Sequence, residues 1–229
     1  MKEHDTRVGG IPSVGLVLVG IIAACMGPRA LASDDADLEY WAKASFLIPV
    51  TDSWTFKFDQ KFNFLDEARR LDNHQQDFGV VYSGLADWID LSVCLKQKFA
   101  KDGDDWERES RPHFNVKLKS SLFGCPWSNR SRLEYRDVED DDIVWRFRHK
   151  TALKSPVTFT PWKIQPYLAE EVFIQLDDED VNANRISAGL YVPLAERIRL
   201  ELFYAWHIDE EPDSWHDTNL LASYIRFTF

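Results

Sequence analysis

The chain has 229 residues and a formal net charge of -11, with 45% apolar, 14% aromatic and 28% charged residues. That balance excludes a disordered polar chain and a bundle of membrane helices. It also argues against nucleic acid as a partner, because phosphate binding needs a basic face.

Lys2 and Arg7 precede an apolar run at 14–25 (VGLVLVGIIAAC). A membrane-spanning helix needs about 20 apolar residues, so this shorter run fits the hydrophobic region of a secretory signal. Pro28 then breaks the run, and Ala30-Leu31-Ala32 supplies a small-x-small cleavage pattern. Residues 1–32 are read as a cleaved signal peptide and residues 33–229 as one mature domain. Ile22-Ala23-Ala24-Cys25 also resembles a lipoprotein signal in which Cys25 would be acylated; the Ala-x-Ala site downstream is preferred. After cleavage Cys94 and Cys125 remain. Export permits a disulfide, but Cys94 reads as mid-strand and Cys125 as a turn residue two strands on, so two free thiols are expected.

From there on the chain alternates. Trp54, Phe56, Phe58, Phe62 and Phe64 form one face of a segment whose other face is Thr55, Lys57, Asp59, Lys61 and Asn63. Successive strand residues point to opposite faces, so this is a strand with one oily and one wet side. The pattern recurs in eleven segments: 38–48, 54–65, 75–86, 89–100, 110–121, 128–138, 143–153, 163–176, 183–192, 197–208 and 217–229. Most approach the about 9–11 residues that a tilted strand needs to cross a bilayer. Glu170-Glu171 interrupts the eighth, where a β-bulge is the simplest repair.

The connections alternate too. Residues 49–53, 87–88, 122–127, 154–162 and 193–196 are short or carry Pro, whereas 66–74, 101–109, 139–142, 177–182 and 209–216 are strongly charged. Short turns on one rim and longer loops on the other are the arrangement of outer-membrane barrels. Trp54, Trp88, Trp127 and Trp162 recur once per hairpin at the short-turn side, and with the terminal Phe229 they are read as interfacial aromatics. The last strand, ending in Phe227 and Phe229, resembles the signal read by the outer-membrane barrel assembly machinery. The expected fold is therefore an all-β transmembrane antiparallel up-and-down barrel of 10–12 strands. Segments two to eleven alone give ten, with antiparallel ends that could close on each other; segment one makes the count odd, which single-chain bacterial barrels avoid. The opposite arrangement, a soluble periplasmic binding barrel with its apolar face inward, has the same period.

The wet face is dense in charge. The expected lumen-facing cluster is Arg130, Arg132, Glu134, Arg136, Arg146, Arg148, Lys150, Glu171, Arg185, Arg199 and Glu201. Like charges on neighbouring strands repel, so acidic partners must point inward as well. The cluster reads as a structural ion-pair network filling a narrow lumen, or as a basic constriction favouring anions. No catalytic residues, metal ligands or cofactor are expected: there is no GxSxG, HExxH, EF-hand or Gly-rich phosphate loop. A surface lipid-modifying hydrolase would need a His and a Ser brought together on one barrel face. The expected partners are outer-membrane lipid and lipopolysaccharide, the assembly machinery, and a small anionic solute.

Arg132-Leu-Glu-Tyr-Arg136, Arg146-Phe-Arg-His-Lys150, Tyr167-Leu-Ala-Glu-Glu-Val-Phe173, Asn184-Arg-Ile-Ser-Ala-Gly-Leu190 and Leu200-Glu-Leu-Phe-Tyr204 occur in this order. Together they resemble the outer-membrane barrel family called domain of unknown function 2490 (DUF2490), with Lys150 where a third Arg is expected. The resemblance implies a barrel in the outer membrane of a Gram-negative bacterium. It implies no activity.

Overall fold

The computed structural model describes residues 38–66, 69–139, 141–177, 180–211 and 214–229. The expected signal peptide, its cleavage site and the alternative acylation at Cys25 lie outside the described residues.

Eleven strands form: β1 (Leu38–Pro49), β2 (Trp54–Leu65), β3 (Arg70–Ala86), β4 (Ile89–Asp102), β5 (Asp105–Leu122), β6 (Cys125–Val138), β7 (Val144–Lys154), β8 (Gln165–Gln175), β9 (Asp180–Ala195), β10 (Ile198–Glu211) and β11 (Ser214–Thr228). Each pairs antiparallel with the next, and β1 pairs with β11 to close a barrel. That closing pair is parallel, running from Leu38 opposite Asn219 to Leu47 opposite Thr228. The reason is counting: strands that reverse direction at every turn end an odd set pointing the same way as they began. Segments two and eleven therefore do not close on each other; β1 lies between them. Phe46 marks the seam, stacking on Phe58 at 6.0 Å and on Phe227 at 5.3 Å.

Alternation sets which way each side chain faces. Phe56, Phe62, Phe78, Val93, Leu95, Phe114, Leu133 and Leu202 stand exposed on the outside. Asp59, Asn63, Asp77, Arg111, Arg132, Glu134 and Glu171 are buried within. This is the reverse of a soluble barrel, which keeps its apolar face inside.

Several strands run beyond their sequence-based limits. β5 has 18 residues and β3 has 17, because residues 70–74 and 105–109 pair as hairpin arms rather than forming loops. Where both faces meet water, neither has to be apolar, so the hydrophobic alternation fades while backbone pairing continues. The short side is tight: the β5–β6 turn puts Phe123 at φ 50 and Gly124 at φ 80. Two consecutive positive φ angles define a type I′ turn, whose twist matches that of the strands.

The bulge expected at Glu170-Glu171 is absent. Glu170 pairs with Thr151 and Glu171 with Lys150 in unbroken register. The pleat therefore sends Glu171 inward and Glu170 outward. The irregularity in β8 lies instead between Phe173 and Ile174, against β9.

Candidate functional site

The upper part of the interior, toward the long hairpins, encloses a chamber of about 440 Å³. Thirteen of its lining residues are Lys or Arg and five are Asp or Glu. It extends up to Asn73, Asn182 and Asp209 at the long-hairpin rim. Strand pairing explains the crowding. Arg130, Arg132 and Glu134 on β6 sit directly opposite Lys150, Arg148 and Arg146 on β7, and Lys150 sits opposite Glu171 on β8. Five cations on two adjacent strands would repel strongly without embedded carboxylates.

Two carboxylates do this work. Glu134 is fully buried. Its Oε1 accepts from Arg132 Nη1 and Arg148 Nη1, both at 3.0 Å, and its Oε2 from Arg146 Nη2 at 2.7 Å and Nε at 3.0 Å. Glu171 accepts from Arg130 Nη2 and Arg148 Nη2, each at 2.7 Å, with Arg185 Nη1 at 3.8 Å. Arg148 bridges the two, so Glu134 and Glu171 belong to one network. Higher up, Glu109 accepts from Arg136 Nε at 2.6 Å and from Arg111. Across the lumen Lys57 joins Asp59 at 3.1 Å and Asp77 at 3.3 Å.

Of the eleven residues expected in the lumen, nine gather around this chamber. Arg199 and Glu201 do not. They sit lower, beside a void of only about 10 Å³. Glu201 accepts from Tyr167 OH at 2.6 Å, and the Arg199 guanidinium lies 5.0 Å from the Tyr191 ring centre. Here the interior turns aromatic: Tyr167 stacks on Tyr191 at 4.6 Å, and Phe203 meets Tyr224 edge-on at 5.0 Å. Glu109 and Arg111 are absent from the expected cluster: Glu109 lies in the charged stretch 101–109, which has no oily face to mark a strand, and Arg111 at the start of segment five is left without its acidic partner. Lys96 and Lys98 also line the chamber, and neither has an ion-pair partner among the described residues. Trp54, Trp88 and Trp162 are exposed at the short-turn rim, as is Phe229; Trp127, in the same region, is half-buried.

The outer face carries a polar row among its hydrophobic residues. Ser131 on β6 pairs directly with His149 on β7. Ser131 Oγ lies 3.1 Å from His149 Nδ1, and Asn129 Nδ2 lies 2.6 Å from His149 Nε2 and 3.1 Å from Thr151 Oγ1. Glu170, exposed, accepts from Asn184 Nδ2 at 3.2 Å. Sequence spacing could not show this His–Ser contact, since the two residues meet only through the β6–β7 register. Cys94 and Cys125 are buried free thiols.

Fold and site define a class: a closed β-barrel with an apolar exterior and an ionic, largely filled interior. The chain belongs to the family described as protein of unknown function (DUF2490), which matches residues 38–218. A comparison with curated proteins finds no match. Among solved structures, an anion-selective porin from Comamonas acidovorans is similar, at a TM-score of 0.40 and 12% identity. The likeness covers 79% of this chain and 55% of the porin, so the chain spans little more than half of that protein's length.

Proposed function

We propose that this protein is an outer-membrane barrel of a Gram-negative bacterium that holds a small anionic solute in its basic chamber. The observation that carries this reading is the 440 Å³ chamber with thirteen cationic and five acidic lining residues. Counting Glu109 and Glu134, which touch its arginines, cations still exceed carboxylates by six. Lys96 and Lys98 are among the donors without an ion-pair partner in the described residues that an anion would meet. The exterior supports the membrane setting: an exposed band of Phe, Leu and Val this extensive would aggregate in water. Lipid and lipopolysaccharide then cover the outside, and the aromatic final strand serves the assembly machinery.

Binding is favoured over conduction. Below the chamber Tyr167, Tyr191, Phe203 and Tyr224 fill the lumen, leaving a void about the size of one water. Titration of the detergent-solubilised protein with inorganic phosphate should give saturable 1:1 binding that weakens with salt. Lys96→Ala combined with Lys98→Ala should lower the affinity by roughly a hundredfold, taking ~1.5 kcal/mol for each charge-assisted bond lost. Planar bilayers should show little conductance. Absence of phosphate binding, or a large non-selective conductance, would overturn the proposal.

The Ser131–His149–Asn129 row favours a second reading, a surface acyl hydrolase. With the Asn129 amide turned so that Oδ1 faces His149 Nε2–H, His149 Nδ1 is free to take the Ser131 proton, and the Thr151 hydroxyl can donate to the same oxygen. This reading ranks second because of depth. Ser131 lies four residues above Trp127, roughly 10 Å from the short-turn rim, whereas lipid esters sit at the rim. Fatty-acid release from phospholipid in mixed micelles, lost in Ser131→Ala, would support it; an inactive wild-type protein rules it out.

A further inference from the structure

Three inward-facing residues on neighbouring strands converge beside the arginine network, His113 standing directly opposite Glu134. Cys94 on β4 is directly opposite His113 on β5. On its other side it is opposite Gly79 of β3, and Asp77 stands two residues from Gly79 on the same face. One carboxylate oxygen, the sulfur and one imidazole nitrogen lie within 4.8 Å of one another. His113 Nε2 is 3.7 Å from Asp77 Oδ2. All three residues are buried, at 6%, 4% and 4% exposure.

The hydrogen bonding leaves these groups waiting for something. His113 Nδ1 is 3.1 Å from the Arg111 carbonyl oxygen. A carbonyl can only accept, so Nδ1 carries the proton and Nε2 presents a lone pair. That Nε2 is buried and has no hydrogen-bond partner among the described residues, and neither does Asp77 Oδ1. Buried polar atoms in native proteins are nearly always paired. A backbone carbonyl holding one ring nitrogen, so that the other points its lone pair at a cluster, is how metal-ligating histidines are oriented. The sulfur also has space of its own: a Cβ at Gly79 would come within 2.3 Å of Cys94 Sγ.

The geometry points to a binding site for one borderline-soft divalent transition ion, of the Zn²⁺ class, held by Asp77, Cys94 and His113. A thiolate and an imidazole disfavour Ca²⁺ and Mg²⁺, which take oxygen ligands. The Cys94 thiol releases its proton to solvent on binding. Thiolate and carboxylate then neutralise the dication, which matters beside Lys57. Lys57 keeps Asp59 as its partner when Asp77 turns to the metal. Asn115 Nδ2, 3.9 Å from Cys94 Sγ, is placed to donate to the thiolate. Three protein ligands leave a fourth position on the side where Asp77 lines the chamber, as in zinc sites with an exchangeable ligand. The site does not depend on the anion reading: its three ligand atoms converge on one another, and of the three residues Asp77 alone also lines the chamber.

The test uses the folded, detergent-solubilised protein freed of metal by chelation. Calorimetry with Zn²⁺ should give 1:1 binding, and Co²⁺ should produce a thiolate-to-cobalt charge-transfer band. Cys94→Ser and His113→Gln should each weaken binding by at least roughly tenfold, and Cys94→Ser should abolish the band; Cys125→Ser should change neither. X-ray absorption of the zinc-loaded wild-type protein needs no variant. It should show one sulfur at about 2.3 Å and N/O neighbours at about 2.0–2.2 Å. No stoichiometric binding, a shell of N and O alone, or binding that persists in folded Cys94→Ser would overturn the assignment.

Discussion

Replacing Glu134 with Gln tests whether the barrel interior is held by its embedded carboxylates. The substitution keeps shape but removes the charge that three guanidiniums share. Arg148 retains Glu171 at 2.7 Å, and Arg132 retains the Asn115 Oδ1 at 2.6 Å. Among the described residues Arg146 then keeps the Phe173 ring, 5.5 Å away, and no acceptor. The new amide also turns N–H groups toward at least one guanidinium. Removing one partner of a buried ion pair costs about 3–5 kcal/mol, and the lower end applies here because two of the arginines keep acceptors. Urea unfolding from lipid vesicles, followed through the nine Trp, is the assay. With a slope of about 2 kcal/mol/M, a loss of ~3 kcal/mol moves the midpoint down by roughly 1.5 M. Added chloride should recover part of that loss by occupying the freed guanidiniums. A Glu134→Gln protein that unfolds at the wild-type midpoint, with no response to chloride, would refute the idea that this network carries stability.

Three further outcomes are expected. In vesicles of bromine-labelled lipid, shallow labels should quench Trp fluorescence more than deep ones, and replacing exposed Trp54, Trp88 and Trp162 with Phe should lower the difference without removing it, since Trp106, Trp145 and Trp215 are exposed toward the long hairpins; equal quenching at all depths would contradict the rim placement. Glu170→Leu should stabilise the protein in lipid by about 1–2 kcal/mol, since a carboxylate on a lipid-facing strand is unfavourable; a loss of stability would mean that something polar covers that face. Gly79→Ala should cost about 1–3 kcal/mol in metal-free buffer, read from the same urea midpoint. Adding Cys94→Ala should recover only part, because the new Cβ still meets the Val93 carbonyl oxygen at 2.8 Å; full recovery would show that the sulfur alone sets the constraint.

The inner wall was legible at Arg132, Glu134 and Arg148 because strict alternation reports facing with no knowledge of the neighbours. It failed at Glu109, where a strand arm in water has no oily side to mark it, and at Glu170-Glu171, where two like residues hide the pleat. The soluble alternative, with the same period, differs only in which side is inside. Phe56 and Leu202, exposed on the outer surface, decide that in favour of an ionic interior.

Local chemistry alone dictated that this chain makes amphipathic strands, roughly where each begins, and that their wet sides carry an excess of arginine and lysine. A period of two is a property of the backbone itself, so it survives without any long-range information. Which strands meet, and at what register, is a property of closure. Only the closed barrel seats β1 parallel to β11, lets three arginines converge on Glu134, sets Ser131 against His149, and brings Asp77, Cys94 and His113 within reach of one ion. Those contacts join residues that are up to 183 positions apart, as at Tyr40 and Ser223 across the seam. No spacing in a linear sequence encodes a distance that exists only once the sheet has curled onto itself.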